Sequence, residues 1–137
     1  MALNSNCSNV RGCGPGSPQE TWLRADLAAH PARCTLAYWH HPRFNFGEHG
    51  NDTETKALRQ ALYDNRAEIV LSGHDHNYQR WMPQTPDGTK DATRALREFV
   101  VGTGGKSHYA LGSPPANVET FNDNTSGILR LTLRAGS

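Results

Sequence analysis

The sequence lacks long apolar runs. Its apolar stretches, such as Glu68-Ile69-Val70-Leu71, fall far short of the ~20 residues that span a bilayer, so a helical membrane protein is excluded. It also lacks an excess of one charge. Lys and Arg number 14 against 13 Asp and Glu, a net +1, which gives no electrostatic reason to expect nucleic acid or an anionic membrane as partner. Cysteine is scarce, and Cys7, Cys13 and Cys34 form no C-x-x-C, which argues against a zinc ribbon or a thioredoxin-type motif. The start, Met1-Ala-Leu-Asn-Ser-Asn6, has neither a basic region nor an apolar stretch, so no export signal is visible. No internal repeat is present.

What is there suits one folded domain. The 137 residues match a common domain size, 36% of them are hydrophobic, and low net charge argues against disorder. Cys7 and Cys13 lie in a Gly-, Ser- and Asn-rich stretch where a short disulfide loop is easy to close. Three free thiols, with Cys34 buried beside the run Thr35–Trp39, is the equal alternative. Sequons at Asn6, Asn51 and Asn124 are short enough to arise by chance and carry little weight.

Residues 4–17 are turn-forming. Ser17-Pro18-Gln19-Glu20 then reads as a helix start, with Ser17 as cap, Pro18 in the first turn and Glu20 closing a capping box. Trp22, Leu23 and Leu27 follow at helical spacing, and Pro31 lies past the end. Cys34–Trp39 reads as a buried strand and 43–51 as a loop. A second helix, capped by Asp52 or Thr53, carries Ala57, Leu58, Ala61 and Leu62 on one face. Strands are expected at Glu68–Ser72, Arg97–Gly102 and Gly127–Leu133, with loops at 82–96 and 111–126. The order helix, strand, helix, strand, strand, strand is α/β in character, with the later strands antiparallel.

The excess residue is histidine. There are seven, and four sit in two segments that follow strands: His40 and His41 after Thr35–Trp39, and His74 and His76 after Glu68–Ser72. Ligands of open α/β sheets bind beyond the carboxyl ends of strands. An imidazole just past a strand end has little residual freedom, and neutral imidazole is a good metal ligand. His40, His74 and His76 are therefore read as metal ligands. Gly73 is read as permitting a sharp turn, and an extended i, i+2 spacing as aiming His74 and His76 into one cavity. Asp75, on the other side, is read as supporting or structural. His41 is equally well a residue that orients a neighbour or an ordinary one. His30 and His108 are read as structural or surface residues.

Gly73-His74-Asp75-His76-Asn77-Tyr78-Gln79-Arg80 resembles the Gly-His-x-His-x-Tyr-Glu-Arg signature of calcineurin-like metallophosphoesterases, on the purple acid phosphatase side. Trp39-His40-His41-Pro42 resembles the His-x-Pro motif that precedes it there. Leu3–Cys7, Gln19–Leu27, Cys34–Gly50 and Arg97–Tyr109 are also similar to bacterial secreted members. Gln79 stands where Glu is usual, and a mild effect is expected because that position is not a ligand. The resemblance implies a dinuclear centre of Zn, Fe or Mn, with His40 and His74 on one metal and His76 on the other. It further implies that His49 contacts a phosphate ester substrate and protonates its leaving group; Arg43 and Arg80 are read as assisting phosphate binding or, by an arginine's default, as surface ion pairs.

The Asp-x-His, Gly-Asp-x-x-Tyr and Gly-Asn-His-Asp/Glu segments of that family have no counterpart here. Residues 1–137 are therefore expected to form a single domain equivalent to the C-terminal half of an α/β/β/α sandwich, a mixed sheet with two helices, without the half that supplies the carboxylate ligands. Three outcomes follow: a part of a phosphoesterase active only when complemented, a metal-binding module without turnover, or a folded remnant without metal. An exposed apolar sheet face is expected, and with it a homodimer or a complementary N-terminal half as partner. The resemblance and the cysteines favour a secreted or extracytoplasmic parent.

Overall fold

A computed structural model describes residues 1–94 and 96–132. A 3-10 turn at Cys7–Val10 precedes helix α1 (Pro18–Ala29), strand β1 (Leu36–Tyr38), helix α2 (Lys56–Asp64) and strands β2 (Ile69–Ser72), β3 (Tyr78–Trp81), β4 (Arg97–Val101) and β5 (Val118–Asn122). The strands form one mixed sheet in the order β1-β2-β4-β3-β5. β1, β2 and β4 run parallel, and β3 is antiparallel to β4 and β5.

Helix α1 begins as its sequence predicts. Ser17 Oγ accepts from the Glu20 backbone N–H at 3.3 Å, and the Glu20 carboxylate reaches back to the Gly16 N–H at 3.0 Å. Leu23 and Leu27 are buried, whereas Trp22 is exposed. Helix α2 starts later than the sequence suggests. Asp52 Oδ1 takes the Glu54 N–H at 2.7 Å in a local turn, and Thr55 stands at the cap with its hydroxyl turned back to Asp52 O (3.3 Å) and no side-chain capping bond.

Both helices pack on the face of the sheet that carries Ala37 and Val70. Leu23, Leu27, Leu58, Ala61 and Leu62 complete this core with Trp39, Leu96 and the Cys7–Cys13 disulfide. The disulfide settles the open cysteine question, and Cys34 is exposed, not buried. By strand alternation and register, Leu36, Tyr38, Ile69, Leu71, Phe99, Val101 and Tyr78 share the opposite face. No helix covers that face among the described residues, and Tyr38 is 52% exposed on it.

Two strands escaped the sequence reading. β3 follows directly on the histidine motif, and β5 lies in the expected loop 111–126. Val118-Glu119-Thr120-Phe121-Asn122 is a short edge strand with little burial, so it carries no clear apolar alternation. Conversely, 127–132 of the expected strand Gly127–Leu133 is not strand, and Leu133 lies outside the described residues. The segment is instead tied down by the Gly127 N–H to Thr103 O (2.9 Å) and by Thr103 Oγ1 to Gly127 O (2.9 Å). Among the described residues no helix is long and apolar enough to cross a membrane.

Candidate metal centre

The site is built where β1 and β2 end side by side. The Trp39 N–H donates to Leu71 O (3.1 Å) and the Gly73 N–H to His40 O (3.0 Å), so the two histidine segments leave the sheet in fixed register. Beyond Gly73 the chain is not extended. His74 itself is left-handed, with φ of 68°. The Asp75 N–H bonds Gly73 O and the Asn77 N–H bonds Asp75 O, both at 2.8 Å. A non-glycine residue in that region costs about 1–2 kcal/mol, a strain of the kind found at functional sites. The sharp turn is thus made by His74 and not by Gly73. It separates the directions of His74 and His76, which the extended reading had merged.

His74 turns toward His40 and His41. One ring nitrogen from each of these three lies within 4.8 Å of the others, and His74 Nδ1 stands 3.0 Å from His40 Nε2. Two nitrogens bound to one ion at about 2.0–2.1 Å, at angles of roughly 90–110°, lie about 2.9–3.4 Å apart, so the His40–His74 pair fits a shared metal. Partial desolvation, then the imidazoles of His41 and His76, hold His40 below the ordinary histidine pKa. Desolvation, then His41, His49 and His40, do the same for His74. Both rings are therefore biased toward the neutral, ligand-competent form.

His76 goes elsewhere. Its Nδ1 is 2.8 Å from Ser107 O, and its ring stacks on Tyr109 at 4.1 Å. A carbonyl only accepts, so Nδ1 carries the proton and Nε2 is left as a bare lone pair. His49, on the loop after β1, packs 4.3 Å from His74 and 5.3 Å from Tyr109. Its Nδ1 is held by Asp75 Oδ1 in a short hydrogen bond, which does not engage Nε2.

Asp75 is fully buried and also accepts from Asn45 Nδ2 at 2.5 Å. Asn45 in turn bonds Gly50 O, the Gly47 N–H and Gln79. Gly47 is required here, because a Cβ would stand 2.2 Å from Asp75 Oδ2. At Gly102 a Cβ would lie 1.8 Å from Asp75 O, so only glycine lets β4 pass this close to the motif. The fully buried Arg59–Glu98 pair (2.9 Å) fixes the start of the same loop, since Glu98 also accepts from the Arg43 N–H at 2.9 Å.

Of the residues singled out in the sequence, His40, His41, His49, His74, His76 and Asp75 come together. Arg43 and Arg80 are engaged elsewhere: the Arg43 guanidinium lies over the Phe44 ring at 4.8 Å, and Arg80 pairs with Glu119 at 2.9 Å. Sequence reasoning missed Ser5, Asn45, Ser107 and Tyr109. Each touches a site residue at least 30 positions away in the chain, so no local pattern marks them.

The family model for calcineurin-like phosphoesterases matches residues 3–78. Purple acid phosphatase 22 of Arabidopsis thaliana is 28% identical over 129 residues, which is 88% of this chain and 29% of that protein. Among solved structures, the purple acid phosphatase PPD1 from yellow lupin (Lupinus luteus) seeds superposes with a TM-score of 0.75 at 14% identity, covering 90% of this chain and 24% of that one. GAP50, the anchor in the inner membrane complex of Plasmodium, superposes with a TM-score of 0.67 at 16% identity, covering 91% of this chain and 38% of that one. These two share the fold, and the chain spans less than two fifths of each relative's length. With more than half of its residues under the family model, and the histidine segments at the ends of β1 and β2, the chain belongs to the calcineurin-like phosphoesterase family.

Proposed function

We propose that the chain supplies the histidine side of a metal centre for phosphoester hydrolysis. The observation that carries this is the 3.0 Å approach of His40 Nε2 to His74 Nδ1 at two adjacent strand ends, with His76 offering a bare Nε2 nearby. His40 and His74 would hold one Zn, Fe or Mn ion and His76 a second. Such a pair of ions polarises a phosphoryl oxygen and lowers the pKa of bound water. Asp75 fixes the His49 ring through Nδ1, so that Nε2 can give a proton to a departing alkoxide. The substrate class is a phosphate ester.

Two dications held close together need a bridging anion. Asp75, the carboxylate beside the histidines, is buried and bonded to His49 and Asn45. The bridging carboxylates therefore come from outside these 137 residues, on a complementary N-terminal half whose sheet packs on the uncovered face. The Cys7–Cys13 disulfide supports an extracytoplasmic location.

The purified 137-residue chain is expected to bind Zn²⁺ yet hydrolyse p-nitrophenyl phosphate negligibly, and His74→Ala should abolish the binding. Steady hydrolysis lost in His74→Ala would show a complete centre within this chain. Absence of Zn, Fe and Mn by elemental analysis after loading and dialysis would refute the metal reading. The alternative, a metal-binding module without turnover, is favoured by the lack of a carboxylate in the His40–His41–His74 group. Adding the complementary half separates the two, since only the first reading predicts that activity returns.

A further inference from the structure

We propose that His41 is a fixed N–H donor for a phosphoryl oxygen of the substrate and not a metal ligand, although its ring packs 4.7 Å from His40 and 4.5 Å from His74. The proposal rests on the reading of the site as a phosphoesterase centre. It comes from the one hydroxyl that holds the His40-His41 turn. Ser5 is 3% exposed, and its Oγ accepts the backbone N–H of His40 at 3.2 Å and that of His41 at 2.9 Å. A hydroxyl has two lone pairs and one proton. With both lone pairs taken, only the proton remains for the third neighbour, His41 Nδ1, at 2.9 Å. Nδ1 is therefore an acceptor, and neutral His41 carries its proton on Nε2.

This tautomer is opposite to that of the other two anchored rings. His76 and His49 are held at Nδ1 by a carbonyl and a carboxylate, both pure acceptors, so that in each ring Nδ1–H is the anchoring donor. His41 presents Nε2–H. For a metal at Nε2 the proton would have to move to Nδ1, facing an oxygen with no lone pair left. For a metal at Nδ1 the Ser5 bond would have to break. An N–H beside a metal centre suits an oxyanion instead, and hydrogen bonds to charged groups are among the stronger ones. The ring is also well fixed: the His41 carbonyl accepts from Trp39 Nε1 at 2.8 Å, and Pro42 follows. The Ser5 segment is itself held to α1 by Gln19, which bonds both the N–H and the carbonyl of Asn4.

The test is long-range proton–nitrogen NMR of the ¹⁵N-labelled 137-residue chain, with Zn²⁺ and inorganic phosphate as probes. The expected His41 pattern is the Nε2–H tautomer, and an Nδ1–H pattern would overturn the proposal. Zn²⁺ affinity should stay within about threefold in His41→Gln but fall on the order of 100-fold in His40→Gln; an equal loss in both would make His41 a ligand. Phosphate should shift the His41 Nε2–H resonance. His41→Phe should weaken phosphate binding about tenfold, and His41→Gln, which keeps an N–H, should restore most of it. Phosphate that leaves His41 unperturbed, or binds equally well to His41→Phe, would also overturn it. A chain that takes up no Zn²⁺ would sink the metal reading alone, because the tautomer and the phosphate response are measured without metal as well.

Discussion

Gln79 shows how tightly single atoms are specified beneath the histidines. Its side chain is fully buried, and its amide is saturated. The NH₂ donates to Asn45 Oδ1 (2.5 Å) and Asn77 Oδ1 (2.9 Å), while Oε1 accepts from the Phe46 N–H (3.3 Å) and Trp81 Nε1 (3.2 Å). Asn45 cannot turn over to help, because Asp75 and Gly50 need its NH₂ and the Gly47 N–H needs its oxygen. Gln79→Glu would restore the residue usual in the resembling motif. In this chain it would set a carboxylate oxygen against two acceptors. We expect a loss of about 1–3 kcal/mol in urea unfolding, and a weaker His49–Asp75 hydrogen bond by NMR. Stability equal to wild type would show that the network rearranges freely. The sequence displays the histidines that meet in the candidate site, because His40, His74 and His76 stand in short motifs. It does not display Asn45 or Ser5, whose partners are brought near only by the fold.

At the level of elements, capping chemistry and apolar periodicity placed α1, α2 and strands β1, β2 and β4 to within a few residues, although β4, expected antiparallel with the later strands, runs parallel to β2. The antiparallel strands β3 and β5 were hidden for a physical reason. β3 reads Tyr78-Gln79-Arg80-Trp81, and its buried Gln79 is satisfied by hydrogen bonds that no hydropathy pattern reveals. The connection from β3 to β4 is held in a comparable way. Asp91 accepts from Thr93 Oγ1 at 2.5 Å, from the Thr93 N–H at 2.9 Å, and from the Tyr63 hydroxyl on α2 in a short bond. These donors, Thr93 first, lower its pKa from 3.8 to about 2. A depressed carboxylate stabilises the fold above its unfolded pKa, and that contribution fades as pH falls from about 4 toward 2. Asp91→Asn should therefore be less stable than wild type at pH 6, with the gap narrowing through that acid window. A gap that does not change with pH, measured by thermal unfolding across the range, would show that the ionised carboxylate is not what fastens the loop to α2.

For the whole molecule, the decisive feature is the asymmetry of the sheet. One face is sealed by α1 and α2, with Ala37, Val70 and Val100 all fully buried. The other carries Leu36, Tyr38, Ile69, Leu71, Val101 and Tyr78, and these are only partly covered. The segment 127–131 lies beside Tyr38, Leu71 and Val101 but leaves Ile128 93% exposed, so it does not seal the face. Contiguous apolar surface of this kind favours association at about 25 cal/mol per Å² removed from water. The edge beyond β1 is closed instead, because Met1–Leu3 pairs with Tyr38 through Tyr38 N–H to Met1 O (2.9 Å) and Leu3 N–H to Tyr38 O (3.0 Å). Pairing through the β1 edge is thus blocked, and association is expected at the face. Alone in solution, the chain should bind a hydrophobic dye and sediment with a mass that rises with concentration. Tyr38→Glu, at a position 52% exposed, should reduce both while the far-ultraviolet circular dichroism stays native. If the face is the seat for the complementary half, the same substitution should also weaken reconstitution of activity when that half is added. A concentration-independent monomer that ignores the dye would mean that the face is sealed by the chain's own residues, and that the second sheet has no seat here.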